Sequence, residues 1–303
     1  MRHVRSLRIP MNRLTPLILA LAATAAAIPG VASAMAGTDK EVARMVSFGG
    51  SCAKCELSGR KLSGARFMGA DFAGASLVGA DLRDARFIGS SFNMADLSRA
   101  DLSDSQILGA DFGGANLSNA KLRSVEAKGA DFSSARLDGV DATDLDGRGS
   151  DFGRAILRNA RFRDADLQAV NLARADARGA DFRDADFQGA DLSGGRFDNA
   201  SFRDASLTGT DLGGASFIGA DFRDADLKHV TLAGVDLSRA RGLTQDQIDE
   251  ACTDASTRLP AGLVGRGCHG ARPIVRVRTP RAPPAPPAPP APPANPRYLV
   301  ALD

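Results

Sequence analysis

Large apolar residues recur at every fifth position from Leu57 to Leu237, with no residue inserted or lost. A small residue, most often Ala, stands two positions before each of them, and the residue between the two is commonly Asp or Asn. A period of five fits neither the period of an α-helix nor the alternation of a plain strand. Because residues two apart share one face of an extended chain, each unit is predicted to be a short extended piece with two inward side chains, followed by a polar turn.

The phenylalanines indicate how many units make one coil. Two series are spaced by twenty residues: Phe72, Phe92, Phe112, Phe132 and Phe152, then Phe162, Phe182, Phe202 and Phe222. If like side chains stack on one another, twenty residues make one coil with four sides, and these phenylalanines form ladders in its core. About nine coils at the strand spacing of roughly 4.8 Å would make a rod on the order of 43 Å long.

The large position is occupied by a small residue at four places: Ala127, Ala142, Gly147 and Ala177. In the first three, the small position two residues earlier holds Val or Leu instead of Ala, so the inward volume is conserved, as a close-packed core requires. Ala177 has no such partner. Ala127 and Gly147 are twenty residues apart, so they are predicted to mark the least filled part of the core.

The unit Ala-Asp-Leu/Phe-x-x, repeated about 37 times in one register over roughly 185 of the 303 residues, resembles the pentapeptide repeat family. The resemblance implies an all-β solenoid, a right-handed four-sided (quadrilateral) β-helix with Leu or Phe at the central inward position. It implies function only weakly, because most members of the family have none assigned.

The chain before the repeats is predicted to contain two segments. Residues 1–34 are typical of a signal peptide, with an apolar run from Leu17 to Ile28 and a small-residue cleavage pattern ending at Ala34. Cleavage would place the protein in the periplasm or outside the cell with no membrane span, whereas an uncleaved signal would act as an anchor. Residues 35–50 are predicted to form a short helix that caps the first coil, the alternative being a disordered N-terminus.

The chain after the repeats, which occupy residues 51–240, is also predicted to contain two segments. Residues 241–270 form a helical cap that begins at Thr244, with a capping box to Gln247 and a face shared by Ile248, Ala251 and Cys252. Residues 271–303 form a disordered Pro-rich tail with a net charge of about +4, counting five Arg against Asp303. This tail is either simply solvated or a basic arm that binds a partner.

Four cysteines are divided between the two ends of the rod. In an exported protein this predicts two local disulfides, Cys52 with Cys55 and Cys252 with Cys268. A zinc site shared by all four is excluded, because the pairs lie about 43 Å apart. The C-x-x-C spacing of Cys52 and Cys55 leaves a thiol-disulfide redox role as an alternative, and free thiols as another.

The sequence offers no other catalytic constellation. Its three histidines have no Ser or Cys partner in a pattern typical of a nucleophile and base. The many Asp residues between the inward positions are predicted to support turns by accepting backbone hydrogen bonds. The sequence thus predicts a protein that is not an enzyme and has no cofactor or metal.

One outward pattern suggests a binding surface. Two columns with a spacing of twenty are formed by Arg163, Arg183, Arg203 and Arg223 and by Asp164, Asp184, Asp204 and Asp224. A polyanion of matching repeat would bind the arginines, which recur about every 4.8 Å. Alternatively, the two columns neutralise each other and only keep the rod soluble.

These features predict an exported, non-enzymatic scaffold or binding rod whose partner is a protein or an anionic envelope polymer. The sequence is also compatible with a homodimer. The family suggests an alternative, protection of a type II topoisomerase (gyrase) by mimicry of DNA. Duplex DNA of about 43 Å carries about 25 negative charges. The rod has 23 basic and 28 acidic residues between Leu57 and Ala240, a net charge of −5, so neither mimicry nor binding of nucleic acid is expected.

Overall fold

A computed structural model describes residue 39 and residues 49–267. Two short parallel strands, β1 (Arg66–Met68) and β2 (Arg86–Ile88), pair with Phe67 opposite Phe87. The helix α1 (Gln245–Glu250) follows the repeats. Among these described residues, no helix has the length and apolar character needed to cross a membrane.

Parallel bridges join residues twenty apart throughout the repeats, from Ser51 with Asp71 to Asp221 with Arg241. The bridging residue is the one just before the large inward residue of each unit, so every twenty-residue turn has four bridging positions. Backbone hydrogen bonds follow the same register, as where Phe112 N donates to Asp131 O at 2.6 Å. The coil of twenty residues predicted from the phenylalanines is therefore confirmed.

Both inward positions of each unit pack into one continuous core. The large residues from Leu57 to Leu237 are at most 2% exposed, and the small residues between them are mostly buried alanines. The rings of Phe92 and Phe112 stack with centroids 4.8 Å apart. The first ladder ends at Phe152, which meets Phe162 edge to face at 5.9 Å, and the second ladder continues from there on the opposite side. The predicted Phe ladders are confirmed.

The turns explain the polar residues of the repeat. From Leu57 to Leu232, the residue two after each large one takes a left-handed conformation, for which Gly and Asn carry the smallest steric cost. The Asp before the large residue accepts a hydrogen bond from the backbone two residues later, as where Gly113 N donates to Asp111 Oδ1 at 2.7 Å. The prediction that these carboxylates support turns is confirmed.

Where a small residue occupies the large inward position, neighbouring side chains fill the space in the core. A Cβ atom on Gly147 would lie 3.1 Å from Leu167 Cδ2 and 3.2 Å from Leu145 Cδ2, so this part of the core has no spare room, contrary to the expectation. The coil that contains Ala177 also holds two phenylalanines, Phe182 and Phe187, whose centroids are 5.2 Å apart. A second ring in that coil supplies the volume that Ala177 lacks.

The helix α1 lies against the last coils. It has the predicted capping box between Thr244 and Gln247, and Gln247 Nε2 also donates to Phe222 O at 3.0 Å. Ile248 is fully buried. The helix is shorter than predicted, because the C-cap residue Ala251 is already extended, and Cys252 forms a parallel bridge with Thr231 instead of sharing a helical face.

Several predicted segments lie largely or wholly outside the described residues. These are the signal peptide (1–34), most of the N-terminal cap (35–50), the end of the C-terminal cap with Cys268, and the tail (271–303). Of the N-terminal cap, Asp39 is helical, and its carboxylate lies 3.2 Å from Arg60 Nη1.

Candidate functional site

The arginine column is present on one side of the coils. Arg163, Arg183, Arg203 and Arg223 each follow a buried Phe of the second ladder, and we call the surface that they form the arginine side. The side chains of Arg163 and Arg223 are 45% and 54% exposed. A ligand in solution can therefore reach this column.

Three of the four arginines pair with an aspartate that precedes a Phe. Arg183 Nε and Nη2 donate to the two carboxylate oxygens of Asp181, both at 2.8 Å, and Arg163 donates to the same carboxylate from the adjacent coil. Arg223 forms the equivalent pair with Asp221, with Nε 2.9 Å from Oδ1. The hydrogen bond from Arg223 holds the pKa of Asp221 below its ordinary value.

The carboxylates predicted to neutralise this column are the wrong ones. Asp164, Asp184, Asp204 and Asp224 have φ between 57° and 60°. None of their side-chain carboxylates forms a hydrogen bond or ion pair with another residue in the described part of the chain. The reason is geometric: residues on either side of an inward Phe project to the same outer face, whereas the next residue turns the corner. Asp181 therefore meets Arg183, and Asp184 does not.

A second charged column, which the sequence analysis above does not predict, lies on another side of the coils. Asp111, Asp131 and Asp151 are bridged in consecutive coils on the side of the first Phe ladder, which we call the aspartate side. Each accepts a backbone hydrogen bond at 2.7 Å from the residue two later. No Lys or Arg of the described chain pairs with these three carboxylates. The spacing of twenty that revealed the arginines was equally visible here.

The aspartate side carries an electrostatic cost. Burial raises the pKa of Asp151 above its ordinary value, and the neighbouring carboxylate of Asp131 raises it further. Asp176, on another side, shows the reverse: hydrogen bonds from Arg178 and Arg158 lower its pKa to about 2. Ionised Asp151, which has no basic partner, thus lowers the stability of the fold, whereas ionised Asp176, which pairs with two arginines, raises it.

We expect Asp151→Asn to raise, and the matched Asp176→Asn to lower, the urea midpoint at pH 7. The raised pKa of Asp151 means that its ionised form destabilises the fold, and this effect disappears as the pH falls below its unfolded pKa of about 3.9. The stability that Asp176 contributes is present above that value and is lost as the pH falls through about 2. Midpoints measured at pH 7 and pH 3 would show the gain of Asp151→Asn shrinking at pH 3, and an equal gain at both values would contradict this assignment.

The cysteine pair belongs to the core of the first coil. Cys52 and Cys55 form a disulfide with Cα atoms 5.2 Å apart. Cys52 occupies the large inward position next to Phe72, Cys55 occupies a small one, and they are 1% and 9% exposed. Cys252 is also disulfide-bonded, and its predicted partner Cys268 lies outside the described residues. Buried sulfurs are poorly accessible to an attacking thiol, so the geometry favours a structural role for Cys52 and Cys55.

Metal binding finds no support in residues 39 and 49–267, where no group of His, Cys, Asp or Glu side chains is placed to hold an ion. Many of the carboxylates instead accept hydrogen bonds from backbone amides or guanidinium groups. The charged sides of the coil are therefore the candidate functional surface.

Comparison with known proteins identifies the repeat. The family described as Pentapeptide repeats matches in 8 copies, at residues 51–87, 65–104, 80–119, 109–139, 128–164, 165–204 and 200–239. No curated protein matches the chain.

Two solved structures illustrate the similarity. HetL, a pentapeptide repeat protein involved in heterocyst differentiation regulation in the cyanobacterium Nostoc sp. strain PCC 7120, is 27% identical with a TM-score of 0.59. The match covers 72% of this chain and 96% of HetL. Trypsin-treated QnrB1, a plasmid-mediated fluoroquinolone resistance protein, is 24% identical over 69% of this chain and 89% of that one, with a TM-score of 0.40.

Proposed function

Because the chain belongs to the pentapeptide repeat family, we propose that it is an exported, non-enzymatic rod that binds an anionic polymer of the cell envelope. Proteins of this family have right-handed quadrilateral β-helix folds, so we assign the same hand and about nine coils to the repeats, with caps at both ends. A solenoid of this kind offers flat sides on which one side chain recurs at every coil.

The observation that carries the proposal is the arginine side. Its guanidinium groups repeat at the strand spacing of roughly 4.8 Å, and a chain of phosphate or carboxylate groups laid along the rod would meet several of them together. The carboxylates of Asp181 and Asp221 are mostly buried, but the Arg183 and Arg223 side chains paired with them are 35% and 54% exposed, so part of each guanidinium group remains open to a ligand. The basic tail, residues 271–303, adds positive charge to the same protein.

Binding is tested with the full chain as recovered from cells and immobilised inorganic polyphosphate or polyglutamate. We expect retention that weakens as salt is added, because contacts between fixed charges are screened. Replacing all four arginines of the arginine side by Gln should abolish retention. A control with Arg136→Gln and Arg196→Gln, on the neighbouring side, should retain most of it. Equal loss in both variants would reject a specific side, and no retention of the wild type would reject the proposal.

Export is tested by the intact mass of the protein recovered from the cell envelope, before and after reduction and alkylation. We expect a chain that begins at Met35 and has no free thiols. A full-length chain with four free thiols in the cytoplasm would contradict both export and the disulfides, and would direct attention to cytoplasmic partners.

A second candidate is mimicry of DNA at a topoisomerase, which the aspartate side favours. Asp111, Asp131 and Asp151 form a continuous column of carboxylates without basic partners in the described chain. The column is short, however, and the rod's net charge of −5 (23 basic, 28 acidic) is far below that of DNA of equal length. A gyrase supercoiling assay tests this candidate, and unchanged supercoiling in the presence of the protein would reject it.

A redox role through Cys52 and Cys55 is the remaining alternative. Their burial disfavours it, since thiol exchange requires an accessible sulfur. An insulin-reduction assay that shows turnover would restore it.

A further inference from the structure

Arg203 differs from the other members of the arginine side. Within residues 39 and 49–267, it forms no ion pair, and its Nε is buried without a hydrogen-bond partner. Arg183 and Arg223, in the coils on either side of it, both pair with carboxylates. A buried donor left without an acceptor is rare in proteins and costs stability, which makes Arg203 the place on this side where an acceptor is missing.

The residue two positions before Arg203 departs from the pattern of its neighbours. The position two before Arg183, Arg203 and Arg223 holds Asp181, Ser201 and Asp221 in consecutive coils, and these three residues are bridged in sequence. Ser201 stands where Arg183 and Arg223 each find their carboxylate. Arg163 lacks that carboxylate too and pairs with Asp181 of the next coil, whereas Arg203 forms no equivalent pair with Asp221 in the described chain. The Ser201 hydroxyl has no hydrogen-bond partner among the described residues, so a guanidinium and a hydroxyl are both unoccupied on the same face of one coil.

We propose that Arg203 and Ser201 form a binding site for one oxyanion, a phosphate or carboxylate group, in the place of the absent aspartate. A charge-assisted hydrogen bond from the guanidinium and a second from the hydroxyl would hold it. Arg183 and Arg223 lie one coil away on either side, with their charges already engaged by Asp181 and Asp221. The inference deepens the proposed function, since it assigns the primary contact of the polymer to one coil.

The sharpest variant restores the repeat pattern. Ser201→Asp places a carboxylate where Asp181 and Asp221 stand, and it should pair with Arg203 and close the site without removing any basic residue. Ser206→Asp is the matched control: it adds the same charge at the equivalent position on the adjacent side, where Thr208, and not Arg, stands two residues later.

The test uses the full chain labelled with ¹⁵N-arginine and titrated with inorganic phosphate, then with acetate. We expect the Nε–H signal of Arg203 to move and saturate, with smaller changes at Arg163, Arg183 and Arg223. Ser201→Asp should abolish the movement, and Ser206→Asp should leave it unchanged. A saturable shift that persists in Ser201→Asp, or equal and unsaturated shifts at all four arginines, would overturn the site.

Retention on polymer separates this inference from the proposed function. Arg203→Ala and Ser201→Asp should each lower the affinity for polyphosphate about tenfold, whereas Arg183→Ala should lower it less than about threefold. A larger loss on polyphosphate than on polyglutamate would assign the oxyanion as phosphate, and the reverse would assign it as carboxylate. Retention unaffected by Ser201→Asp would overturn the site and leave the rod's polymer binding intact. A saturable phosphate shift at Arg203 without polymer retention would support the site and reject the polymer.

Discussion

Phe112→Ala is expected to destabilise the rod by about 3 to 5 kcal/mol. Phe112 is fully buried and stacks between Phe92 and Phe132, with ring centroids 4.8 and 5.0 Å away. Truncation removes the buried ring and both of its stacking contacts. The cavity cannot collapse easily, because the coils above and below are held in place by backbone hydrogen bonds in the same register. Urea or thermal unfolding followed by far-UV circular dichroism would measure the loss.

Met94→Ala is the matched control for this experiment. Met94 lies at the corner that follows Phe92, one coil from Phe112, and is 68% exposed. Its truncation is expected to change the free energy of unfolding by no more than about 0.5 kcal/mol. Comparable losses in Phe112→Ala and Met94→Ala would contradict the assignment of inward and outward positions.

The spacing of the phenylalanines was sufficient to predict the coil, because the stacking of like side chains depends only on adjacent coils. In a solenoid each coil contacts only its neighbours, so a residue and its equivalent twenty positions later must fit the same space. That rule places Phe92 over Phe112 without any knowledge of long-range topology. The capping box at Thr244 and Gln247 was predictable for a similar reason, since it depends on four consecutive residues.

The pairing of the charged residues was not predictable from spacing alone. Arg183 and Asp184 are adjacent in sequence, yet the chain turns a corner between them, and the ion pair forms with Asp181 instead. Counting residues by column does not reveal which columns share a face. The end of the C-terminal helix was missed because Cys252 continues the parallel pairing of the coils, and that tertiary contact overrides the helical pattern.

The volume of the inward side chains is conserved both within one repeat unit and within one coil of twenty residues. Only the first kind of compensation can be recognised by inspecting a single unit. Leu145 compensates for Gly147 two residues away, and both residues belong to the same repeat unit. Ala177 is compensated by Phe182 and Phe187 within its own coil. The inward side chains on the four sides of one coil share a single cross-section of the core, so their total volume must be nearly constant. The total over twenty residues, and not the volume within one unit, therefore explains Ala177.

This conservation makes a strong prediction for the exchange of Leu145 and Gly147. Leu145→Ala alone leaves a cavity in a fully packed coil and should cost about 2 to 5 kcal/mol. Gly147→Leu alone inserts a side chain where even a Cβ would lie 3.1 Å from Leu167, and should cost about 1 to 3 kcal/mol or more.

The double variant Leu145→Ala/Gly147→Leu restores the common repeat unit, with the small residue followed by the large one. We expect it to be more stable than either single variant, because the space vacated by Leu145 accepts the new leucine. Urea unfolding of the four proteins in a double-mutant cycle would measure a coupling energy of at least about 2 kcal/mol in the favourable direction. Simple addition of the two losses would show that Leu145 and Gly147 do not share one volume, and that the core tolerates each substitution independently.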